Sequence, residues 1–182
     1  MEISELVQIV KDAICICEAK IQENSNMVLS EADLERHLSN VISSLLEQIP
    51  NNEFVVHNQI SHYPQKDNVI KKRRDSQVDI LIMKDTDIQK ADFLSKGFVY
   101  AGDSIAMELK YIRKNSSYTG INNDLRKSSF LFDKPHKCEF FVIDLIEDES
   151  KRNGVEKCFD DYRNNPLIHT FIITKPSNNQ NQ

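Results

Sequence analysis

Three charged residues lie in segments that are otherwise apolar, and their side chains could do chemistry together. Glu108 and Lys110 are two residues apart in SIAMELKYI (104–112), so a strand there would point both side chains to one face. Asp79 interrupts the apolar run QVDILIM (77–83). Because an ionised carboxylate in such surroundings is costly unless it has a partner, these three residues are the first candidates for a functional site.

Two carboxylates and a lysine suit the metal-assisted hydrolysis of a phosphodiester. If the two strands pair, Asp79, Glu108 and Lys110 converge on one point of the sheet. The two carboxylates repel each other, and a divalent cation relieves that repulsion. Oxygen ligands with open water positions suit Mg²⁺ or Mn²⁺. Lys110 would then reach the attacking water or a substrate phosphate, where a fixed positive charge stabilises the transition state.

The elements that must position these residues follow from the periodicity of the apolar residues. The second helix begins at Ser30, which together with Asp33 forms a pattern like a capping box, and it ends at Pro50. After Pro50 the period changes from helical to that of strands. The pattern predicts helices at 3–22, 30–50, 86–97, 120–132 and 150–165, and strands at 53–63, 77–83, 104–112, 138–146 and 167–174.

This order predicts an α/β fold, with a central mixed sheet of about five strands flanked by helices. Residues 77–83 are nearly all apolar, as in a strand that is buried on both faces. We expect a single domain over residues 1–175, with a helical extension at 1–25 and a disordered tail at 176–182. The apolar face of the first helix is either core or the surface of a homodimer, which would match the two-fold symmetry of a duplex.

Composition and charge restrict the function classes. The chain has 182 residues and a formal net charge of −5, which argues against a basic protein that coats nucleic acid. It allows an enzyme with an acidic site and a local basic patch. There is no basic leader and no apolar run of about 20 residues, so we expect a cytoplasmic location and no membrane partner. No cysteine spacing resembles a zinc site, and free thiols are expected at Cys15, Cys17, Cys138 and Cys158.

Asp79 in one strand, followed by Glu108-x-Lys110 in the next, resembles the PD-(D/E)xK nuclease superfamily. The resemblance covers roughly residues 30–146 and includes the order of the core, which is a helix, three strands, a helix and a further strand. It implies a restriction-endonuclease-like αβββαβ core with an extra N-terminal helix. The chain has Val78 where the family name has proline, and its gap between Asp79 and Glu108 is long.

The resemblance also implies roles for individual residues. Asp79 and Glu108 would bind one or two Mg²⁺ ions, or Mn²⁺, with the backbone carbonyl of Leu109 as a further ligand. Lys110 would orient the attacking water or stabilise the transition state. The helix before the strands supplies another glutamate in the family, for which we favour Glu31, as a catalytic residue and metal ligand. Glu35 is an open alternative. DNA is the expected substrate, in a restriction, repair or defence role.

Basic residues near these strands predict contacts with the phosphates of a nucleic acid. One group precedes Asp79, one follows the strand of Glu108, and one lies on the helix after that strand, where Asn123 and Asp124 are further candidates for auxiliary roles. The predicted nucleic-acid-binding residues are Lys71, Lys72, Arg73, Arg74, Arg113, Arg126 and Lys127. Such charge runs are also common as solvated surface.

Two other functions remain open on the sequence. The chain could be a catalytically inactive nucleic-acid-binding or assembly domain with the same fold. It could also be an unrelated α/β interaction protein in which the acids are structural, since Glu108 and Lys110 could form an ion pair on a solvated face and Glu31 could only favour a helix N-terminus.

Overall fold

The computed structural model describes residues 1–62, 65–66, 69–70, 77–92, 97–100, 102–131 and 137–176. Its helices are α1 (Ile3–Glu23), α2 (Glu31–Glu47), α3 (Thr119–Leu131) and α4 (Arg152–Phe159). Its strands are β1 (Phe54–His62), β2 (Gln65–Lys66), β3 (Val69–Ile70), β4 (Gln77–Lys84), β5 (Ile88–Asp92), β6 (Gly97–Tyr100), β7 (Ser104–Ile112), β8 (Cys138–Ile146) and β9 (Ile168–Thr174).

A mixed sheet organises the described part of the chain, with strand order β5-β6-β1-β4-β7-β8-β9. β1, β4 and β7 pair antiparallel, whereas β7, β8 and β9 pair parallel. The prediction of an α/β fold with a mixed sheet flanked by helices, including an N-terminal helix, is confirmed. The five predicted strands are β1, β4, β7, β8 and β9, while β5 and β6 extend one edge and β2 and β3 form a separate two-stranded ladder.

Two helical layers cover the two faces of the sheet. α1 and α2 pack on one face, where their buried residues form a single cluster with Ile80, Met107 and Phe141. α3 and α4 pack on the other face, against side chains such as Ala106 and Phe140. The apolar face of α1 is therefore core, which was one of the two alternatives that its periodicity left open. No helix within the described residues is both long enough and apolar enough to span a bilayer.

The start of α2 follows the sequence closely. Ser30 is the N-cap, and its hydroxyl accepts a hydrogen bond from the Asp33 N–H group at 3.1 Å. Leu34, Leu38 and Ile42 face the core. Because this face fixes the rotation of the helix, its first turns are presented to the neighbouring strands, β7 and β1.

The predicted helix at 86–97 is wrong. A short 3-10 turn at Asp85–Asp87 leads into β5, and Gly97 begins β6 instead of closing a helix. β6 pairs with β1 in parallel and with β5 antiparallel, so strand pairing at the sheet edge outweighs the local helical preference of a short segment. The basic run at 71–74 and the predicted tail after Pro176 lie outside the described residues.

Candidate active site

The candidate site lies where β4 and β7 stop pairing. The last pair between them on this side is Ile80 with Met107, so Asp79 and Glu108 are the next residues along the two strands. Here the Leu109 N–H group donates a hydrogen bond to Asp79 Oδ2 at 2.7 Å. This bond fixes the Asp79 carboxylate beside the segment of β7 that carries Glu108.

Glu108 is almost completely buried, and a lysine of α3 compensates its charge. Only 1% of Glu108 is exposed, and Lys127 Nζ lies 2.8 Å from its Oε1 atom. Burial raises the pKa of Glu108 to about 8, because the positive charge of Lys127 offsets only part of it and the negative charges of Asp79 and Asp124 add to it. The surroundings of Glu108 therefore favour a nearby cation.

Asp124 of α3 joins the two lysines of the site. Its Oδ2 atom lies 3.2 Å from Lys110 Nζ, and its Oδ1 atom lies 3.2 Å from Lys127 Nζ. Burial lowers the pKa of Lys110, but the carboxylates of Asp124 and Glu31 more than offset this, so the pKa lies above its usual value. Lys127 also donates to the carbonyl of Gln77 at 3.2 Å. Both ammonium groups are thus held at the site by several oxygens.

Glu31 reaches the site from the first turn of α2. Its Oε1 atom lies 3.4 Å from Lys110 Nζ, and its Oε2 atom accepts a hydrogen bond from the Tyr111 N–H group at 3.4 Å. Lys110 therefore lies between Glu31 on one side and Asp124 on the other. This arrangement connects α2 and α3 across the strand that carries the lysine.

Glu35, one turn further along α2, is connected to Asp79 through a bridging amide. Gln59 Nε2 donates to Glu35 Oε2 at 2.6 Å and to Asp79 Oδ1 at 3.2 Å, while Gln77 Nε2 donates to Gln59 Oε1 at 3.0 Å. Burial raises the pKa of Glu35, and the hydrogen bond from Gln59 opposes this only in part. Both glutamates of α2 therefore lie at the site. Gln59 was missed because an amide in a strand carries no signal of its own.

A further acid lies next to Lys110, on the neighbouring strand β8. Asp144 of β8 is opposite Lys110 in the parallel ladder between β7 and β8, and it is fully buried. Neither of its carboxylate oxygens has a hydrogen-bond partner among the described residues. Burial raises the pKa of Asp144 well above its usual value, the charge of Asp124 raises it further, and the charge of Lys110 lowers it. Asp144 interrupts the apolar segment CEFFVIDLI just as Asp79 interrupts QVDILIM, so the same sequence feature could have identified it.

The structure brings most of the predicted site residues together and leaves others apart. Leu109 enters through its N–H group, and the role of its carbonyl stays a prediction. Arg113 lies at the end of β7, where its Nη2 atom donates to the Leu29 carbonyl at 3.4 Å, and Arg126 is exposed on α3. The predicted residues that meet at the site are Glu31, Asp79, Glu108, Lys110, Asp124 and Lys127. Lys127 was predicted as a phosphate contact, but it lies inside the acidic cluster.

The donor set limits which metal ion the site could hold. Within the described ranges, no group of three or more His, Cys, Asp or Glu side chains is arranged to hold a metal ion. Mg²⁺, however, is often held by one or two carboxylates, together with water and substrate phosphates. Asp79 and Glu108 would be that smaller set, since they are the next residues on the two strands beyond the pair of Ile80 with Met107.

The chain matches no protein-family model, no curated protein and no solved structure. The function of the site is therefore inferred from its own geometry.

Proposed function

We propose that the chain is a nuclease that uses Mg²⁺ or Mn²⁺ to hydrolyse phosphodiester bonds, with DNA as the expected substrate. The observation that carries this proposal is the hydrogen bond from Leu109 N–H to Asp79, because it holds one carboxylate next to Glu108 and Lys110. Buried acids of raised pKa beside fixed lysines are typical of functional sites. A restriction, repair or defence role suits the resemblance to PD-(D/E)xK nucleases.

The metal ligands in this proposal are Asp79 and Glu108, with the carbonyl of Leu109 as a further oxygen. A divalent cation held by these oxygens would supply Lewis-acid chemistry to a phosphodiester and to water. Asp79 needs little reorganisation, since its Oδ2 accepts from Leu109 and its Oδ1 accepts from Gln59. Hydrogen bonds from surrounding residues to a metal-binding side chain fix its orientation and tune the affinity for the metal.

Lys110 supplies the fixed positive charge in this proposal. Its ammonium lies between the carboxylates of Glu31 and Asp124, at 3.4 and 3.2 Å. Because these acids hold the pKa of Lys110 above its usual value, the side chain stays protonated at neutral pH. A permanent ammonium stabilises negative charge that develops on the phosphate, or orients water by donating a hydrogen bond, and does not act as a base.

Lys127 pairs with both Glu108 and Asp124, so the lysine has two carboxyl partners at the site. The Lys127 ammonium lies 2.8 Å from Glu108 Oε1 and offsets part of the effect of burial on this carboxyl group. If Glu108 were to hold a divalent cation, Lys127 would keep the Asp124 carboxylate, which is 3.2 Å away, as its partner. The ammonium would then not be left unpaired at the site.

A cleavage assay tests the proposed function. Linear, circular, branched and single-stranded DNA and RNA are incubated with the full chain in Mg²⁺ or Mn²⁺, alongside Lys110→Ala and the exposed control Lys157→Ala. We expect cleavage that depends on the metal, is retained by Lys157→Ala, and is reduced at least about 100-fold by Lys110→Ala, the scale seen when one transition-state donor is removed. The same rate in both variants, or no cleavage of any substrate, would contradict the proposal.

One observation favours a second candidate, a nucleic-acid-binding or assembly domain without catalytic activity. Lys110 and Lys127 already pair with Glu31, Glu108 and Asp124, so the acids have internal counter-ions. Under this alternative, nucleic acid binds equally well in EDTA and in Mn²⁺, and no substrate is cut. The nuclease proposal instead requires turnover that EDTA abolishes.

A further inference from the structure

Gln59 has a backbone conformation that strand residues rarely adopt. Its φ is 52°, in the left-handed region that favours glycine, although it lies within β1. On either side the pairing with β4 keeps a regular register, with Asn58 opposite Ile80 and Ile60 opposite Val78. The strain is therefore confined to the residue between these two pairs, which stands opposite Asp79.

The side chain of Gln59 makes hydrogen bonds with residues at the site. Its two amide N–H groups serve two carboxylates, Glu35 at 2.6 Å and Asp79 at 3.2 Å, and its amide oxygen accepts from Gln77. Gln59 is exposed, so packing does not require a residue of its size there. Strained backbone that persists at a surface position, where the side-chain amide nitrogen donates to two acids of one site, points to a functional constraint.

The neighbouring residue shows that strain is not needed to connect β1 with α2. Asn58 accepts a hydrogen bond from Ser39 Oγ at 2.8 Å, and its φ is not in the left-handed region. That contact already ties the strand to the helix. What Gln59 adds is the connection onward to Asp79.

We propose that Gln59 is a positioning residue that couples Glu35 of α2 to Asp79 and so fixes the orientation of a metal ligand. The proposal rests on the proposed function, in which Asp79 holds the cation. In it, Gln59 does not touch substrate. It holds Oδ1 of Asp79 while Leu109 N–H holds Oδ2, so that the carboxylate keeps one orientation with and without a cation.

Two substitutions at Gln59 separate the amide from the strained backbone. Gln59→Gly removes the amide and relieves the strain at a φ of 52°, whereas Gln59→Ala removes the amide and keeps the strain. Asn58→Ala is the matched control, since it removes the neighbouring contact with α2. Mn²⁺ affinity of the full chain is measured by titration calorimetry, and stability by the urea midpoint.

We expect both Gln59 variants to bind Mn²⁺ about 10- to 100-fold more weakly, the scale typical of lost support around a metal ligand. Gln59→Gly should have a higher urea midpoint than Gln59→Ala, because glycine adopts this backbone without strain. Asn58→Ala should keep the wild-type affinity. If affinity instead follows stability, normal in Gln59→Gly and weak in Gln59→Ala, the amide has no positioning role and the proposal is overturned.

A separate measurement distinguishes failure of this inference from failure of the proposed function. If the wild-type chain binds no Mn²⁺, the metal-dependent function is excluded, and a double-mutant cycle of Gln59→Ala and Asp79→Ala in urea still measures the coupling. Non-additive midpoints would support the connection between the two side chains. Additive midpoints would overturn it.

Discussion

Strands β7 and β8 present two very different faces to the helices that cover them. Toward α1 and α2, the side chains are Met107, Leu109, Phe141, Ile143 and Leu145. Toward α3 and α4, the same strands carry Glu108, Lys110 and Asp144 beside apolar side chains such as Ala106 and Phe140. Since residues alternate along a strand, one stretch of sequence contributes to an apolar core on one face and places a charged site within the apolar cluster of the other face.

The two faces contribute differently to stability and to the proposed function. The face toward α1 and α2 stabilises the fold by burial of apolar surface. The face toward α3 and α4 carries acids of raised pKa, which oppose folding at neutral pH. Substitutions of apolar residues on the first face should therefore change stability alone, and substitutions of the charged residues on the second face should change activity or even raise stability.

The largest effect is expected from Glu108→Gln. Loss of a carboxylate metal ligand should reduce the cleavage rate by about 10³-fold or more, which corresponds to about 4 kcal/mol of transition-state stabilisation. The free energy of unfolding should change little. Burial raises the pKa of Glu108 to about 8, so a charged carboxylate is unfavourable there, and the neutral amide avoids that cost. Single-turnover cleavage and urea unfolding measure the two quantities.

A matched control exists on the other face of β8. Glu139 is also buried, but it is paired with His169 at 2.9 Å and with Lys137 at 3.1 Å, away from the site. Glu139→Gln should keep the cleavage rate and lose stability. Equal rates in the Glu108 and Glu139 variants would remove the distinction between the two faces.

Ile143→Ala tests the apolar face. Ile143 is fully buried against the core of α1 and α2, and its truncation should cost about 2–5 kcal/mol of unfolding free energy. The cleavage rate per folded molecule should stay the same, since the side chain points away from Lys110 and Asp144. Urea unfolding measures the free energy of unfolding, and active-site titration gives the cleavage rate per folded molecule. A loss of rate beyond the folded fraction would contradict this assignment.

The fold was largely predictable because apolar periodicity is a local property of the sequence. The five main strands were found from alternation or apolar runs, and α2 from its cap at Ser30. The segment 86–97 was mispredicted, because its strands depend on pairing with β1 at the sheet edge. Such pairing is a tertiary effect that outweighs the preference of a short segment.

On the strands, the site was predictable where an ionisable residue interrupts an apolar segment, and Glu31 of α2 was predicted from the resemblance. Such an interruption identified Asp79 and Glu108, and it is equally present at Asp144, which has no counterpart in the motif. Gln59 gave no signal, because its role depends on a backbone twist opposite Asp79. Lys127 was predicted to bind nucleic acid, since the sequence of α3 does not show which of its polar residues faces β7.

Asp144→Asn should reveal the cost of the charged face through its pH dependence. In the unfolded chain an aspartate has a pKa of about 3.9, whereas burial holds the folded pKa well above that value. As pH rises above about 4, the unfolded state ionises first, so the wild type loses stability relative to the variant. We expect similar stability near pH 4 and a gain of about 1–3 kcal/mol for Asp144→Asn at pH 7.

Urea unfolding at several pH values measures this difference. A constant difference between pH 4 and pH 7 would mean that the pKa of Asp144 is the same in both states. Loss of stability on substitution would mean that the carboxylate has a partner and that the charged face carries no such cost.

The smallest effect is expected at the rim of the site. Arg113 directly follows β7, and Arg113→Ala should weaken binding of nucleic acid modestly and lower the slope of log K against log salt by about 1. Arg163, which is exposed and paired with Asp160, serves as the control and should change neither quantity. Fluorescence anisotropy over a range of salt concentrations measures both. An unchanged slope for Arg113→Ala would exclude a phosphate contact there.

The proposed mechanism depends on a divalent cation that Asp79 and Glu108 share. Titration calorimetry of Mn²⁺ into the wild-type chain and into Asp79→Asn tests for this cation, because binding is measured without substrate or turnover. We predict saturable binding to the wild type that is lost in Asp79→Asn, while the far-ultraviolet circular dichroism of the two proteins is the same. No binding to the wild type, or equal binding to both proteins, would contradict the proposed mechanism.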